Sequence, residues 1–243
     1  MKYVIVGAGA LGSILGGNLI RAGADVTMLA RGARATYLRD NGITLRGLVE
    51  DTIPCRVETD PAALGGADVV IVTVKTYQTA DAVAPLRHMR VGGVFSVANG
   101  VLKNRQLAEV FGEDAVLGSI AMVSGELLGD GAVKYTVNQL LSVGALPSGP
   151  SAAAQLIADS LNEAGVNAAV SETIQTDEWS KYVNWSGMMA LSVLTRLETY
   201  KFLSEPAAVR VAAKIMRETA ALARALEIPL SNDPPVACGD IVD

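Results

Sequence analysis

Within its first dozen residues the chain commits to one kind of turn. Tyr3 to Val6 is a short apolar run with the length of a buried strand in a parallel sheet. It breaks into Gly7-Ala8-Gly9-Ala10-Leu11-Gly12, and a helical pattern follows through Leu19, Ile20 and Arg21. Strand, glycine turn and helix in that order is the setting in which Gly-x-Gly-x-x-Gly marks a dinucleotide site. Gly7 permits a tight turn, Gly9 lets backbone N–H groups approach a pyrophosphate, and Gly12 lets helix and strand pack closely. The bland alternative is a purely structural strand-to-helix turn. All six residues from Gly7 to Gly12 are cofactor-binding candidates.

The second strand, Val26–Leu29, follows the turn Gly23-Ala24-Asp25 and bears on which dinucleotide is bound. An acid at its end would hydrogen-bond the ribose 2′-hydroxyl of NAD and repel a 2′-phosphate. The strand ends instead in Ala30-Arg31-Gly32, with Arg34 close behind, and Arg31 lies 24 residues after Gly7. A guanidinium there can fork onto a phosphate, which favours NADPH over the reading of an ordinary surface arginine.

Residues 35–66 read as peripheral: a helix around Tyr37–Asn41, a strand at Ile43–Leu45, and another at Thr52–Val57 placed at an edge by Pro54. Asp60 caps a short helix at Pro61–Leu64. Asp68–Val74 is the clearest buried strand, and Lys75 follows at its carboxyl end, where ligands lie in an open parallel sheet. A lysine snorkelling from a strand end is the alternative. The next strand, Val94–Val97, runs into Asn99-Gly100, a turn signal that also sets a polar side chain at a strand's carboxyl end. Strands are further predicted at Ala115–Val123, Val133–Thr136, Leu140–Val143 and Val166–Val170, with a helix over Ser151–Ala164. After Thr173 the pattern is helical, over Asp177–Leu197 and Pro206–Leu226. The fold class is α/β: a Rossmann dinucleotide-binding domain over 1–170, then an all-helical substrate domain over 171–243.

Composition narrows the chemistry. His88 is the single histidine and sits before the turn Gly92-Gly93 in what reads as an exposed loop. That removes Ser-His-Asp triads, Cys-His pairs and multi-histidine metal sites together, so an acid or base must be Lys, Tyr, Cys, Asp or Glu. The net charge of −5 argues against nucleic acid or an anionic membrane as partner. Cys55 and Cys238 are far apart and suggest neither a disulfide framework nor a thiolate zinc site. The apolar N-terminus fits a strand and helix better than a signal peptide, and no apolar run is long enough to span a membrane. A cytoplasmic protein is the default expectation.

The helix Asp177–Leu197 carries Trp179-Ser180-Lys181, and its second half is apolar and small, which predicts burial. Lys181 at the entry of that run could face inward as a proton donor or outward as a solvated residue. Taken in order, Gly7-x-Gly9-x-x-Gly12, Arg31, Val72-Thr73-Val74-Lys75-x-x-Gln78, Asn99-Gly100 and Trp179-x-Lys181 resemble the ketopantoate reductase family along essentially the whole chain. The resemblance implies an active site in the cleft between a Rossmann and a helical domain. It also implies NADPH-dependent reduction of 2-dehydropantoate to pantoate, a step of pantothenate and coenzyme A synthesis. By the same resemblance Lys181 is the general acid, and Lys75 and Asn99 line the nicotinamide and substrate site.

The chemistry is coherent in itself. Hydride transfer to a 2-keto carbon leaves an alkoxide to be stabilised and protonated, and a lysine of ordinary pKa, about 10.4, is a cation at neutral pH. Two departures from the family are visible. Members that reduce ketopantoate carry asparagines four and eight residues after the lysine; here Trp185 and Met189 stand there, so Trp185 becomes a substrate-contact candidate in a bulkier, more apolar pocket. Asn184 is about 100° away around the helix and is no simple replacement. The family also has a serine and a glutamate in a further C-terminal segment, which would not be complete by Asp243; Asp240 and Asp243 are not taken to replace the glutamate. The alternatives are a paralogous reductase of another small 2-keto acid, or a sensor that binds NADPH without turnover. The small-residue face Val209, Ala212, Ala213, Met216, Ala220 and Ala223 can serve a helix contact within the chain or across a homodimer.

Overall fold

The computed structural model describes residues 1–231, which leaves Cys238, Asp240 and Asp243 outside the described residues. The chain divides into two compact units, Met1–Ile174 and Gln175 onward. The first unit opens with β1 (Lys2–Val6), α1 (Ala10–Arg21), β2 (Asp25–Leu29) and α2 (Gly32–Asn41). A hairpin of β3 (Ile43–Gly47) and β4 (Asp51–Ile53) follows, then β5 (Arg56–Glu58), β6 (Ala67–Val72), α3 (Thr76–Val83), β7 (Val91–Ser96) and α4 (Lys103–Phe111). Two long strands, β8 (Leu117–Leu127) and β9 (Val133–Ala145), α5 (Ala152–Glu163) and β10 (Ala168–Val170) complete the unit.

Five strands form a parallel sheet in the order β5-β2-β1-β6-β7. The apolar runs are continuous because both faces are covered. Tyr3, Ile5, Val69, Ile71 and Phe95 pack into one core with α1 and α5. Val4, Val6, Val70, Val72 and Val94 pack into a second with α3 and α4. Successive side chains of one strand thus serve opposite cores, as the strand period of two requires. The chain leaves β1 toward β2 and β5, then returns to β6 on the other flank. That reversal opens a crevice at the carboxyl ends of β1 and β6.

A second sheet wraps α1. β8 pairs antiparallel with the whole of β9, whose other edge takes β3 at Val133–Tyr135 and β10 at Leu141–Val143. The register of β8 on β9 shifts twice, leaving Gln139 and Thr136 as extra residues. Bulges of this kind bend a strand and increase its twist, which suits a hairpin folded over a helix. The expected strands Val133–Thr136 and Leu140–Val143 are therefore one strand; the polar Asn138 and Gln139 mark a bulge, not an end. The expected strand Thr52–Val57 is two. β4 ends at Ile53, Pro54 offers no N–H to continue a ladder, and β5 begins in the other sheet. Nor are residues 35–66 peripheral, since Ala35, Leu38, Ile43, Leu45 and Ile53 are buried in the larger core.

Covered on both sides, α1 buries every residue from Gly12 to Leu19. A Cβ on Gly17 would stand 3.1–3.3 Å from methyl groups of Ile53, Leu45 and Ile43, so the helix has room for little more than a hydrogen there.

The second unit comprises α6 (Ile174–Thr195), α7 (Thr199–Leu203) and α8 (Pro206–Ala225). Val183, Leu191 and Phe202 pack on Ala212, Met216 and Ala220. At Gly187 a Cβ would come 2.6 Å from the Ala212 carbonyl oxygen, so α6 and α8 meet backbone to backbone. The small-residue face of α8 is thus used within the chain. The second half of α6 departs from its expected burial: the row Val183, Gly187, Leu191 faces α8, whereas Trp185, Met189, Val193 and Leu194 are exposed.

Gly17→Leu is expected to lower unfolding free energy by about 1–3 kcal/mol through overpacking, and Gly17→Ala by much less, because the facing methyls can yield and helix propensity improves. Denaturant midpoints at unchanged m-value check this.

Candidate active site

At the carboxyl end of β1 the chain turns through Gly7 in a left-handed conformation, with φ of +99°. The Gly7 amide donates to the Leu29 carbonyl at 3.0 Å, tying the turn to β2. α1 then starts at Ala10 with Gly9 as its N-cap, no side-chain cap and no acid in the first turn. Gly9 is exposed and its α-carbon faces open space. Uncapped first-turn N–H groups at the positive end of a helix suit an anion such as a pyrophosphate. Helix and strand are close enough that a Cβ on Gly12 would run into the Gly7 carbonyl oxygen.

Two residues given no role by the sequence hold this loop. Thr73, just past the end of β6, shares its hydroxyl between the Gly7 carbonyl at 2.9 Å and the Val6 carbonyl at 3.1 Å. Arg34 runs back beneath the loop: Nε donates to the Ala8 carbonyl at 2.7 Å, Nη2 to Ser13 Oγ at 2.9 Å and Nη1 to the Gly131 carbonyl at 2.6 Å. Its guanidinium stacks 5.0 Å from the Tyr37 ring centre, and burial pulls its pKa below the usual arginine value. Arg34 is thereby a strut, while Arg31, three residues earlier, is exposed at the end of β2.

Arg31 borders a groove of about 420 Å³ that begins at Gly7–Gly9 and continues past Ala30, Thr59 and Pro61. Glu58 lies opposite Leu29 in the register of β5 on β2. Its carboxylate accepts the amides of Thr59 at 2.6 Å and Asp60 at 2.9 Å, which hold its pKa below the usual carboxylate range. That acid is engaged by its own loop.

Further along the same edge of the sheet, Lys75 is exposed as the N-cap of α3, and Asn99 is exposed beyond the end of β7. The two segments are joined, since Thr76 donates its hydroxyl to the Asn99 carbonyl. The other end of the Asn99 loop is anchored by Lys103, which is only 3% exposed and donates from Nζ to the Ser119 carbonyl. Ser119 in turn donates to the Ser96 carbonyl at 2.8 Å. The sequence reading missed Lys103. The signal was a lysine in the first turn of a helix, where the dipole disfavours a cation and a specific tether has to offset the cost.

In the second unit, Lys181 is half-buried on α6, and Trp185 stands one turn further along the same face. Trp179 is buried and meets the Tyr182 ring edge-on at 6.0 Å, fixing the turn in which Lys181 sits. His88 places Nδ1 3.1 Å from the Pro85 carbonyl and Nε2 3.0 Å from the Leu64 carbonyl, a bracing role among loops. Among the described residues no group of His, Cys, Asp or Glu could hold a metal ion, and no helix is long and apolar enough to cross a membrane.

The family profile "Ketopantoate reductase PanE/ApbA" matches residues 3–148, and "Ketopantoate reductase PanE/ApbA C terminal" matches residues 173–241. The 2-dehydropantoate 2-reductase of Pyrococcus horikoshii is 27% identical over 221 residues, which are 90% of this chain and 72% of that one. A crystal structure of a PanE/ApbA family ketopantoate reductase from Ralstonia eutropha aligns with a TM-score of 0.88 at 27% identity, covering 99% of this chain and 80% of that one. A ternary structure of D-mandelate dehydrogenase with NADH and anilino(oxo)acetate, at 23% identity and a TM-score of 0.87, covers 100% of this chain and 79% of that one and shares its fold. With a glycine loop opening a parallel-sheet crevice and both profiles matched in order, the chain belongs to the ketopantoate reductase family of nicotinamide-dependent oxidoreductases.

Proposed function

We propose that the chain catalyses NADPH-dependent reduction of a 2-keto acid to the 2-hydroxy acid. Ketopantoate, the substrate in the relatives' name, is the reference compound. In that case the product is pantoate, destined for pantothenate and coenzyme A. The observation that carries the reading is the groove running from the uncapped helix start at Gly9 to the exposed Arg31. The loop amides suit a pyrophosphate and the guanidinium a 2′-phosphate, while Glu58, the acid nearest by register, is turned to its own backbone.

The bound dihydronicotinamide supplies a hydride to the 2-keto carbon. What the protein adds is a proton and a stabilising field for the oxygen that becomes an alkoxide. Lys181 is assigned the proton transfer from Nζ, and its charge opposes the developing negative charge before the proton moves. Lys75 and Asn99, on neighbouring strand ends tied by the Thr76 hydroxyl, offer an ammonium and an amide to the nicotinamide carboxamide and the substrate carboxylate. Lys103 and Thr76 position Asn99 from either end of its loop. A second reading keeps this chemistry and Lys181 but changes the substrate to another 2-keto acid; exposed Trp185, one turn from Lys181, favours it.

Lys181→Ala is expected to lower kcat by a factor on the order of 10²–10⁴, the usual share of a general acid, with NADPH affinity little changed. Steady-state kinetics together with NADPH titration check it, and equal turnover would remove Lys181 from the mechanism. Arg31→Ala should weaken NADPH by roughly 2 kcal/mol, about 30-fold, as expected for a lost charge-assisted bond, and leave NADH binding much less affected. Parallel titrations distinguish this from a uniform loss, which would speak against a 2′-phosphate contact. NADPH binding without reduction of any 2-keto acid would favour a sensor.

A further inference from the structure

Lys181, Asn184, Trp185 and Met188 fall at i, i+3, i+4 and i+7, so they lie along one face of α6. Beside the last three, and bounded by Thr199 at the start of α7, is a cavity of about 200 Å³. The row Val183, Gly187 and Leu191 is already occupied in packing on α8. Met188 reaches back to that core, so the cavity lies at its edge. Trp185 keeps 40% of its surface exposed and Met189 42%.

A large aromatic side chain left this open still holds a sizeable apolar area in water, which a ligand could cover. Aromatic side chains in such places commonly serve recognition, where a flat ligand completes their burial. The walls here are an indole and a thioether, both polarizable and apolar. The rim carries the Asn184 amide and the Thr199 hydroxyl, which can donate to a carboxylate. An apolar cavity of about 150 Å³ accommodates benzene, so the volume suits a phenyl-sized group and is wasteful for a methyl.

We propose that Trp185 determines specificity, and that the preferred substrate is a 2-keto acid whose 2-substituent is a flat, apolar group of about phenyl size. The proposal rests on the reductase reading above and deepens it. One helical turn, about 5.4 Å, separates Lys181 from Trp185, so a ring seated on the indole leaves the adjoining keto oxygen within range of the lysine. The reaction itself is unchanged: hydride to the keto carbon, a proton to its oxygen, and oxidised nicotinamide released.

The test uses the whole chain with NADPH and three acids, phenylglyoxylate, ketopantoate and pyruvate. Phenylglyoxylate should show the highest kcat/KM, at least tenfold above either other acid. Trp185→Asn should cut the ratio of kcat/KM for phenylglyoxylate to that for ketopantoate at least tenfold, whereas Trp185→Phe should keep the preference; circular dichroism confirms that each variant folds. A second measurement needs no turnover. The chain has two tryptophans, so in Trp179→Phe the remaining indole fluorescence reports Trp185 alone, and mandelate should quench it saturably. Preference for ketopantoate, an unchanged ratio in Trp185→Asn, or the absence of saturable quenching each overturns the proposal. Saturable quenching with no 2-keto acid reduced would support the aromatic site and sink the reductase reading.

Discussion

Between Gly12 and the carbonyl of Gly7 there is no space for a side chain, and that closeness governs the rest of the first unit. It brings the start of α1 against the end of β1, where the Thr73 hydroxyl from β6 binds both carbonyls of the turn. Three elements are thereby locked at one point. The amides that face the groove are held by covalent geometry and by bonds to their neighbours, so little ordering is left for a ligand to impose. Arg34 adds a strut from below, tying the loop to the β8–β9 turn through the Gly131 carbonyl.

Much of the fold is legible in the sequence because its signals are local. The runs at Tyr3–Val6 and Val69–Val72 are apolar on both faces, and Val26–Leu29 is buried with only Thr27 polar, as a doubly covered parallel sheet demands. Ser151 and Asp60 cap their helices as their residue types suggest, each accepting an amide three or two residues on. What sequence reading loses is long-range. Nothing near Ile43, Leu45 or Ile53 reveals that they close over Gly17, so their segment reads as a surface excursion. The bulged residues Thr136 and Gln139 resemble a strand break until β8 is seen to run unbroken opposite them. The alternation of buried Val183, Gly187 and Leu191 with exposed Trp185 and Met189 depends on which side of α6 meets α8.

The site divides the same way. The glycine loop, Arg31, Lys75 and Asn99 stand out in the sequence as candidates because each follows a strand, and all four strands belong to one sheet. The residues that support them cannot. Arg34 has no assigned role in the sequence, yet its donors go to a carbonyl and a hydroxyl of the glycine-loop segment and to a carbonyl of the distant β8–β9 turn. Lys103 reads as an ordinary surface lysine, and only β8 passing overhead supplies the Ser119 carbonyl that its ammonium needs. Function here is written in short motifs, and its rigidity in contacts between residues distant in sequence.

The wrapping of α1 bears on how the chain is assembled. Its residues are among the first to leave a ribosome, but one of its two walls comes from residues 43–53 and from β8 and β9, ending at Ala145. Until β8 and β9 form, α1 has only the parallel sheet and the short β3–β4 hairpin to lean on. Contacts spanning more than a hundred residues are slow to form, because loop closure precedes their reward. The second wall of α1, which lies behind the glycine loop, is therefore among the last parts of its unit to form. A nascent chain stopped short of β9 would carry every residue that lines the groove, but not the full second wall behind α1.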